Sequence, residues 1–312
     1  MGRRERIHLL VCVAAVLCLA FLAPAHSRAD DNVEQKLRND YVGKTYVLRN
    51  FYSGKKLIYD SAGRLSGSAV SGDWTTDGVL RVDKVSVSRD VVTIHAKRLR
   101  LMAKEGFRLS RSETSSLRIE MQLDSQGSVA DKADAVLAQV FLTQRDHFVE
   151  LVPDYWMPCV LAGITGKSAK HYPGCRLSSE LLAVPGVASL PERVPDPAEP
   201  TDSGGLEARR KGKSNMIPPK PIHSPDPEFP EEARKARYGG TLALSIVVDK
   251  TGDVRDVHIV SPMGFGLDQR AVETVRQWRF IPANKDGEPI DKDNDGRDRF
   301  PPLLVDRRKP KT

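Results

Sequence analysis

Between residues 242 and 282 the apolar period of the chain changes from two to nearly four, and that change dictates a small fold. Leu242, Leu244, Ile246 and Val248 alternate with Ala243, Ser245 and Val247, the pattern of a half-buried strand. Lys250-Thr251-Gly252-Asp253 follows as a turn, with Gly252 free to take a positive φ. Val254, Val257, Ile259 and Val260 supply a second strand, so the pair reads as a hairpin. Leu267, Ala271, Val275 and Trp278 then fall three or four residues apart and form the apolar stripe of a helix. Pro282 stops it. A two-stranded hairpin is marginal alone, and laying Val275 and Trp278 on its apolar face supplies the missing core. The order is strand, strand, helix, with room for one more strand.

Within this stretch Phe229-Pro230, Ala233, Gly240, Gly252-Asp253-Val254, Ser261, Leu267-Asp268, Ala271, Trp278-Arg279-Phe280 and Pro282-Ala283 stand at offsets that resemble the C-terminal domain of the TonB family. The resemblance covers residues 227–290. It implies a periplasmic domain that captures an extended segment of outer-membrane TonB-dependent transporters by adding it as a strand to a sheet edge. The last strand, after the helix, would be that edge. The resemblance implies an entry contact at Pro227, Phe229 and Pro230, and edge pairing at Glu288, Ile290 and Asp291. Phe229 has an alternative role in capping the domain's own core. Beyond Ile290 the pattern departs, because Asp291 to Arg299 is a run of charge and Pro301-Pro302 forbids regular pairing.

The family also implies inner-membrane partners of the ExbB and ExbD type. The first residues bear on this. Met1-Gly2-Arg3-Arg4-Glu5-Arg6 is basic, residues 7–23 are apolar apart from His8, and Ser27 and Ala29 are small. That is the layout of a secretory signal spanning residues 1–29, cut after Ala29; the rival is an uncleaved signal-anchor in the inner membrane. The leader lacks the Ser and His spacing by which the family couples to ExbB and ExbD, with His8 unmatched by a Ser. Two functions therefore stand side by side. One is a TonB-like protein supporting energy-coupled transport; the other is a non-energised structural or interaction protein of the cell envelope that reuses the domain.

The formal net charge of +7 carries no dense basic stripe interleaved with aromatics, so nucleic acid is not an expected partner. The most basic tract, Lys97 to Arg111, reads as an exposed strand face, with anionic lipid, cell-wall polymer or lipopolysaccharide as the alternative ligand. Outside the leader only Cys159 and Cys175 remain, with Gly163, Gly166 and Pro173 between them. In an exported protein this suggests a disulfide closing a loop, over two free thiols.

Residues 30–184 read as a mostly-β domain. Strands are expected at residues 44–49, 56–59, 78–87, 91–96 and 117–121, in an antiparallel sheet or a small barrel. A helix over residues 131–145 carries Ala135, Val136, Val140 and Phe141 at helical spacing, with Asp131 at its start. From residue 185 to 226 the composition shifts to Pro, Glu, Asp, Ser, Gly and Lys, a linker that buries little. Residues 291–312 read as a charged tail. The expected class is α+β: an exported mostly-β domain, a Pro-rich linker, and a small domain of hairpin, helix and edge strand.

Two motifs imitate chemistry. Asp291-Lys292-Asp293-Asn294-Asp295-Gly296 opens like a calcium loop, but its twelfth position is Pro302 where a bidentate Glu belongs. Gly264-Phe265-Gly266 lacks the third glycine of a dinucleotide loop. The remaining His, Ser and Cys show no catalytic spacing, so neither enzyme activity nor a cofactor is expected.

Overall fold

The computed structural model describes residues 28–103, 108–124, 126–167, 174–193 and 216–290. Helix α1 (Arg28–Tyr41) opens the described chain. It sets Val33, Leu37 and Tyr41 four residues apart on one face, and Leu37 is buried. A cut after Ala29 would fall in its first turn; the remainder of the leader lies outside the described residues. Five strands follow: β1 (Thr45–Val47), β2 (Lys56–Tyr59), β3 (Val79–Ser88), β4 (Val91–Met102) and β5 (Arg108–Gln122). A π-helical turn, Trp74–Gly78, leads into β3. The sheet order is β1-β3-β4-β5-β2, with β2 parallel to β5 and the remaining pairs antiparallel. The expected all-antiparallel sheet or small barrel is thus an open, mixed sheet. Its two short outer strands, β1 and β2, end the ladder at either edge.

Helix α2 (Val129–Val140) is capped by Ser128, whose Oγ accepts the N–H of Asp131 at 3.2 Å. Its buried stripe is Ala133, Val136, Leu137 and Val140. Ala135, expected in the stripe, is exposed, because the buried face starts at Ala133. Helices α1 and α2 cover a first core made with Leu80, Val82, Ile94 and Ile119 of the sheet. Strand β4 serves two cores. Val92, Ile94 and Ala96 belong to the first, while Leu99 and Leu101, beyond the bulge between Lys97 and Leu99, belong to a second.

Helices α3 (Met157–Thr165) and α4 (Ser179–Leu182) follow, and α3 ends at Gly166 in the left-handed region. Cys159 and Cys175 are joined, with S–S 1.95 Å and Cα atoms 5.1 Å apart. Cys175 Sγ lies 3.5 Å from the carbonyl oxygen of Val260. Composition changes at residue 185, but packing does not: Val187 is fully buried and the N–H of Phe148 donates to Gly186 O.

The C-terminal part contains β6 (Met216–Ile217), β7 (Lys220–His223), α5 (Glu231–Lys235), β8 (Ala243–Val248), β9 (Val254–Ser261), α6 (Leu267–Val275), β10 (Arg279–Ile281), β11 (Asn284–Lys285) and β12 (Glu288–Pro289). Strands β8 and β9 form the hairpin. Gly252 sits at φ +89°, and a Cβ there would come within 2.0 Å of Phe280 O, so the turn needs glycine twice over. Helix α6 ends at Val275, and Trp278, just past it, is buried in the second core with Leu242, Leu244, Ile246 and Ile259. Ala243 and Ser245 are buried too, so β8 is covered on both faces where alternation predicts one.

The second core is continuous across both parts of the chain. Trp74, Leu101, Trp156 and Cys159 pack in one cluster with Leu244, Phe265, Val272 and Trp278. A shared core of this kind docks the hairpin-helix unit onto the first domain.

Candidate strand-addition edge and domain junction

The first strand after the helix is β10, which lies between two neighbours, and the expected last strand at Glu288 to Ile290 is β12. On one side the N–H of Phe280 donates to Gly252 O at 2.9 Å, and Asp253 bridges Arg279. Hydrogen-bonding directions alternate along a strand, so Arg279 and Ile281 present theirs to the other side. There they meet β7 in antiparallel register, Arg279 opposite His223 and Ile281 opposite Lys220, with Ile222 bulged out. Strand β11 continues this edge, pairing Asn284 with Ile217 and Lys285 with Met216 of β6. A strand was not expected at residues 216–223, where Pro218, Pro219 and Pro221 favour a linker; proline is tolerated because this is an edge.

Strand β12 forms the other rim through the turn at Asp286-Gly287. Ile290 directs its N–H inward to Ala283 O at 2.9 Å. The outward position beside it is Pro289, which has no N–H; Asp291 lies outside the described residues. Glu288 is exposed and Ile290 half-buried. The expected entry residues Pro227, Phe229 and Pro230 lie on the segment leading into α5. All three are half-buried, and Phe229 packs against the second core.

The junction between the two parts is built by the loop from Pro262 to Gly266. Gly264, Phe265 and Gly266 all take left-handed φ, at +77°, +61° and +74°. A Cβ on Gly264 would meet Leu101 O at 2.2 Å. Gly264 of this motif thus serves a close approach to β4, a requirement set by the junction. Main-chain bonds follow: Ala103 N–H to Met263 O at 3.0 Å and Phe265 N–H to Leu101 O at 3.1 Å. Ile259 N–H donates to Tyr155 O at 3.0 Å, and Gly266 N–H to Thr75 Oγ1 at 3.0 Å. Arg100 lies over the Phe265 ring, its guanidinium carbon 5.1 Å from the centroid.

Two buried carboxyl groups serve this loop, Asp268 directly and Asp73 through Thr75. Asp268, in the first turn of α6, accepts the N–H groups of Met263 at 2.8 Å and Gly264 at 2.5 Å. Burial pushes its carboxyl up to about 8 against the pull of these donors, with the charge of Asp73 adding to the rise. Asp73 caps the π-helical turn by accepting from the backbone and hydroxyl of Thr75, and burial raises it to about 6. Beside them a cleft of about 330 Å³ is lined by Asn50, Asp73, Trp74, Tyr155 and Gln269.

The basic tract is not simply an exposed face. Arg98 is buried at the β4 bulge, donating to the carbonyls of Tyr52 at 2.7 Å and Gly54 at 3.0 Å and pairing with Asp77 at 3.2 Å. No sequence pattern marks the burial of Arg98, because its partners come from distant segments.

A hairpin, a helix laid on it and a following strand whose outer edge takes further pairing make up a small α+β unit. Residues 225–294 match the family model of the Gram-negative bacterial TonB protein C-terminal domain. The Pseudomonas aeruginosa protein tonB2 is 34% identical over 76 residues, covering 24% of this chain and 27% of that protein. The Vibrio cholerae protein TonB is 37% identical over 65 residues, covering 20% and 27%. The C-terminal part of the chain is thus similar to the C-terminal domain of TonB proteins, and the chain spans about a quarter of the length of these relatives.

Proposed function

We propose that this chain is a periplasmic TonB-like protein that engages outer-membrane TonB-dependent transporters and supports energy-coupled transport. An extended transporter segment would add to the C-terminal sheet by main-chain pairing. The observation that carries the reading is the family match over residues 225–294, on a unit whose strand β10 takes further pairing along its outer edge. Pro227, Phe229 and Pro230 would form the entry contact, with Glu288, Ile290 and Asp291 as a second rim. Inner-membrane proteins of the ExbB and ExbD type would be the energising partners, with residues 7–23 as an anchor where the leader is retained. The activity is binding and needs no cofactor.

Main-chain pairing has a direct test. A synthetic peptide from a TonB-dependent transporter of the same organism is titrated into the full exported chain by calorimetry, beside the same peptide N-methylated at alternate residues. Loss of binding on methylation of one register is expected. Equal affinity for both peptides would refute strand addition.

One observation favours a second reading, the non-energised envelope protein. The TonB-like unit is docked into the preceding domain through a shared core. Mass spectrometry of the mature chain separates the two, since a new N-terminus at Asp30 removes the anchor that energising requires.

A further inference from the structure

We propose that the acceptor edge is β10, and that β7 is an exchangeable cover which an incoming strand must displace. This rests on the strand-addition reading above and specifies how that site is regulated. Arg279 and Ile281 direct their free hydrogen-bonding groups away from the hairpin, and β7 now occupies them. The cover comes from outside the family domain, since β7 ends at His223 and the match begins at residue 225.

Strand β7 is built to hold weakly. All four of its residues are exposed, so it buries little apolar surface and depends on main-chain pairing. Pro221 and the bulge at Ile222 remove part of that ladder. Strands with few buried contacts sit at the low end of local stability. The chain just beyond is fastened separately: Trp278 Nε1 donates to Pro225 O at 3.0 Å, and Phe229 packs on the core. The cover can thus leave by rotation near Ser224, together with β6, whose short pairing with β11 lies on the same strap.

The exposed side chains indicate what fits in its place. Ile281 is 53% exposed on the outer face of β10 and is paired across the ladder with Lys220. An incoming strand with a β-branched or aromatic residue opposite Ile281, and no proline, makes the better cross-strand pair. Pro221 and its flanking prolines also make the outer rim of β7 a poor place for a further strand, so exchange is favoured over stacking outside it.

Two changes in the full exported chain test this, with the transporter peptide as probe. K220P with H223P removes the donors that β7 offers to β10. Peptide affinity should rise about tenfold as the covered fraction is lost. K220C with I281C locks β7 in place when oxidised. Binding should disappear in the oxidised protein and return under a mild reductant that leaves wild-type binding unchanged. Hydrogen exchange should show β7 amides deprotected on peptide addition while Arg279 and Ile281 stay protected. Binding by the locked protein equal to wild type, or peptide binding with β7 still protected, overturns the exchange while leaving strand addition standing. Loss of binding in D291P with no effect of the lock would move the acceptor to the β12 rim and also overturn it. A peptide that binds neither wild type nor the β7-released variant refutes both readings. Dimers that form only in the released variant and take up no peptide would identify a second copy as the occupant, and would refute exchange with a transporter.

Discussion

Gly264 and Gly287 both sit at positive φ, yet they answer to different demands. A Cβ on Gly287 meets nothing within 4 Å, so G287A should cost only the backbone penalty of about 1 kcal/mol. G264A adds a clash with Leu101 O and should cost roughly 3 kcal/mol or more in urea unfolding of the full chain. Equal costs would mean that the junction yields. The buried acids give a pH signature. Asp268 and Asp73 have raised values in the folded chain, so the folded state holds protons that the unfolded state releases above about 4. Their contribution is full below that pH and is lost as pH climbs through about 6 and then 8. Asp249 acts in the opposite sense. Burial would raise it, but bonds from Thr251, Arg255 and the Asp253 backbone hold it below the ordinary range, so its contribution is lost on acidification. D268N should flatten the stability profile between pH 6 and 8, and an unchanged slope there would remove Asp268 as the cause. Gly252 is legible in the sequence because its turn is local. Gly264 is not, because Leu101 imposes its role from far along the chain.

Elements were readable where period and turn chemistry agreed. The hairpin β8–β9 and helix α6 follow from alternation, a Gly-Asp turn and a stripe of four apolar residues. Helix α1 escaped notice because charge dominates it; only Val33, Leu37 and Tyr41 mark its face. Strand β7 was invisible for another reason, since its prolines suit either a linker or an edge. Trp278 ties several elements together, and W278A should lower stability by roughly 3–5 kcal/mol. W278F keeps much of the ring's bulk but loses the bond to Pro225 O, so about 1 kcal/mol is expected. Chemical denaturation of both variants checks the order. A W278F loss as large as that of W278A would show that the hydrogen bond, rather than the buried ring, anchors the segment.

Across the whole molecule the shared second core predicts one cooperative melting transition for the described parts, where a freely jointed pair of domains would give two. Calorimetry on the full exported chain decides this, and two well-separated transitions would contradict the docking. The bridge between Cys159 and Cys175 closes a loop of 16 residues in sequence separation, so C159A with C175A should cost about 3 kcal/mol. Cys175 touches Val260, so that loss should be felt in β9 as well as in α3, with faster amide exchange at Ile259.

The bond from Trp278 to Pro225 has one more consequence. On its C-terminal side it leaves β7 tethered to its own acceptor edge by little more than Ser224. A strand on so short a tether competes at an effective concentration on the order of millimolar, whatever the protein concentration. A peptide free in solution at micromolar levels is therefore a poor rival, even when its contacts are better. A partner strand held close by for long periods, as on a protein confined to the facing membrane, meets the cover on equal terms. The tether thus works as a threshold on proximity: it selects for partners that stay near rather than for those that merely fit.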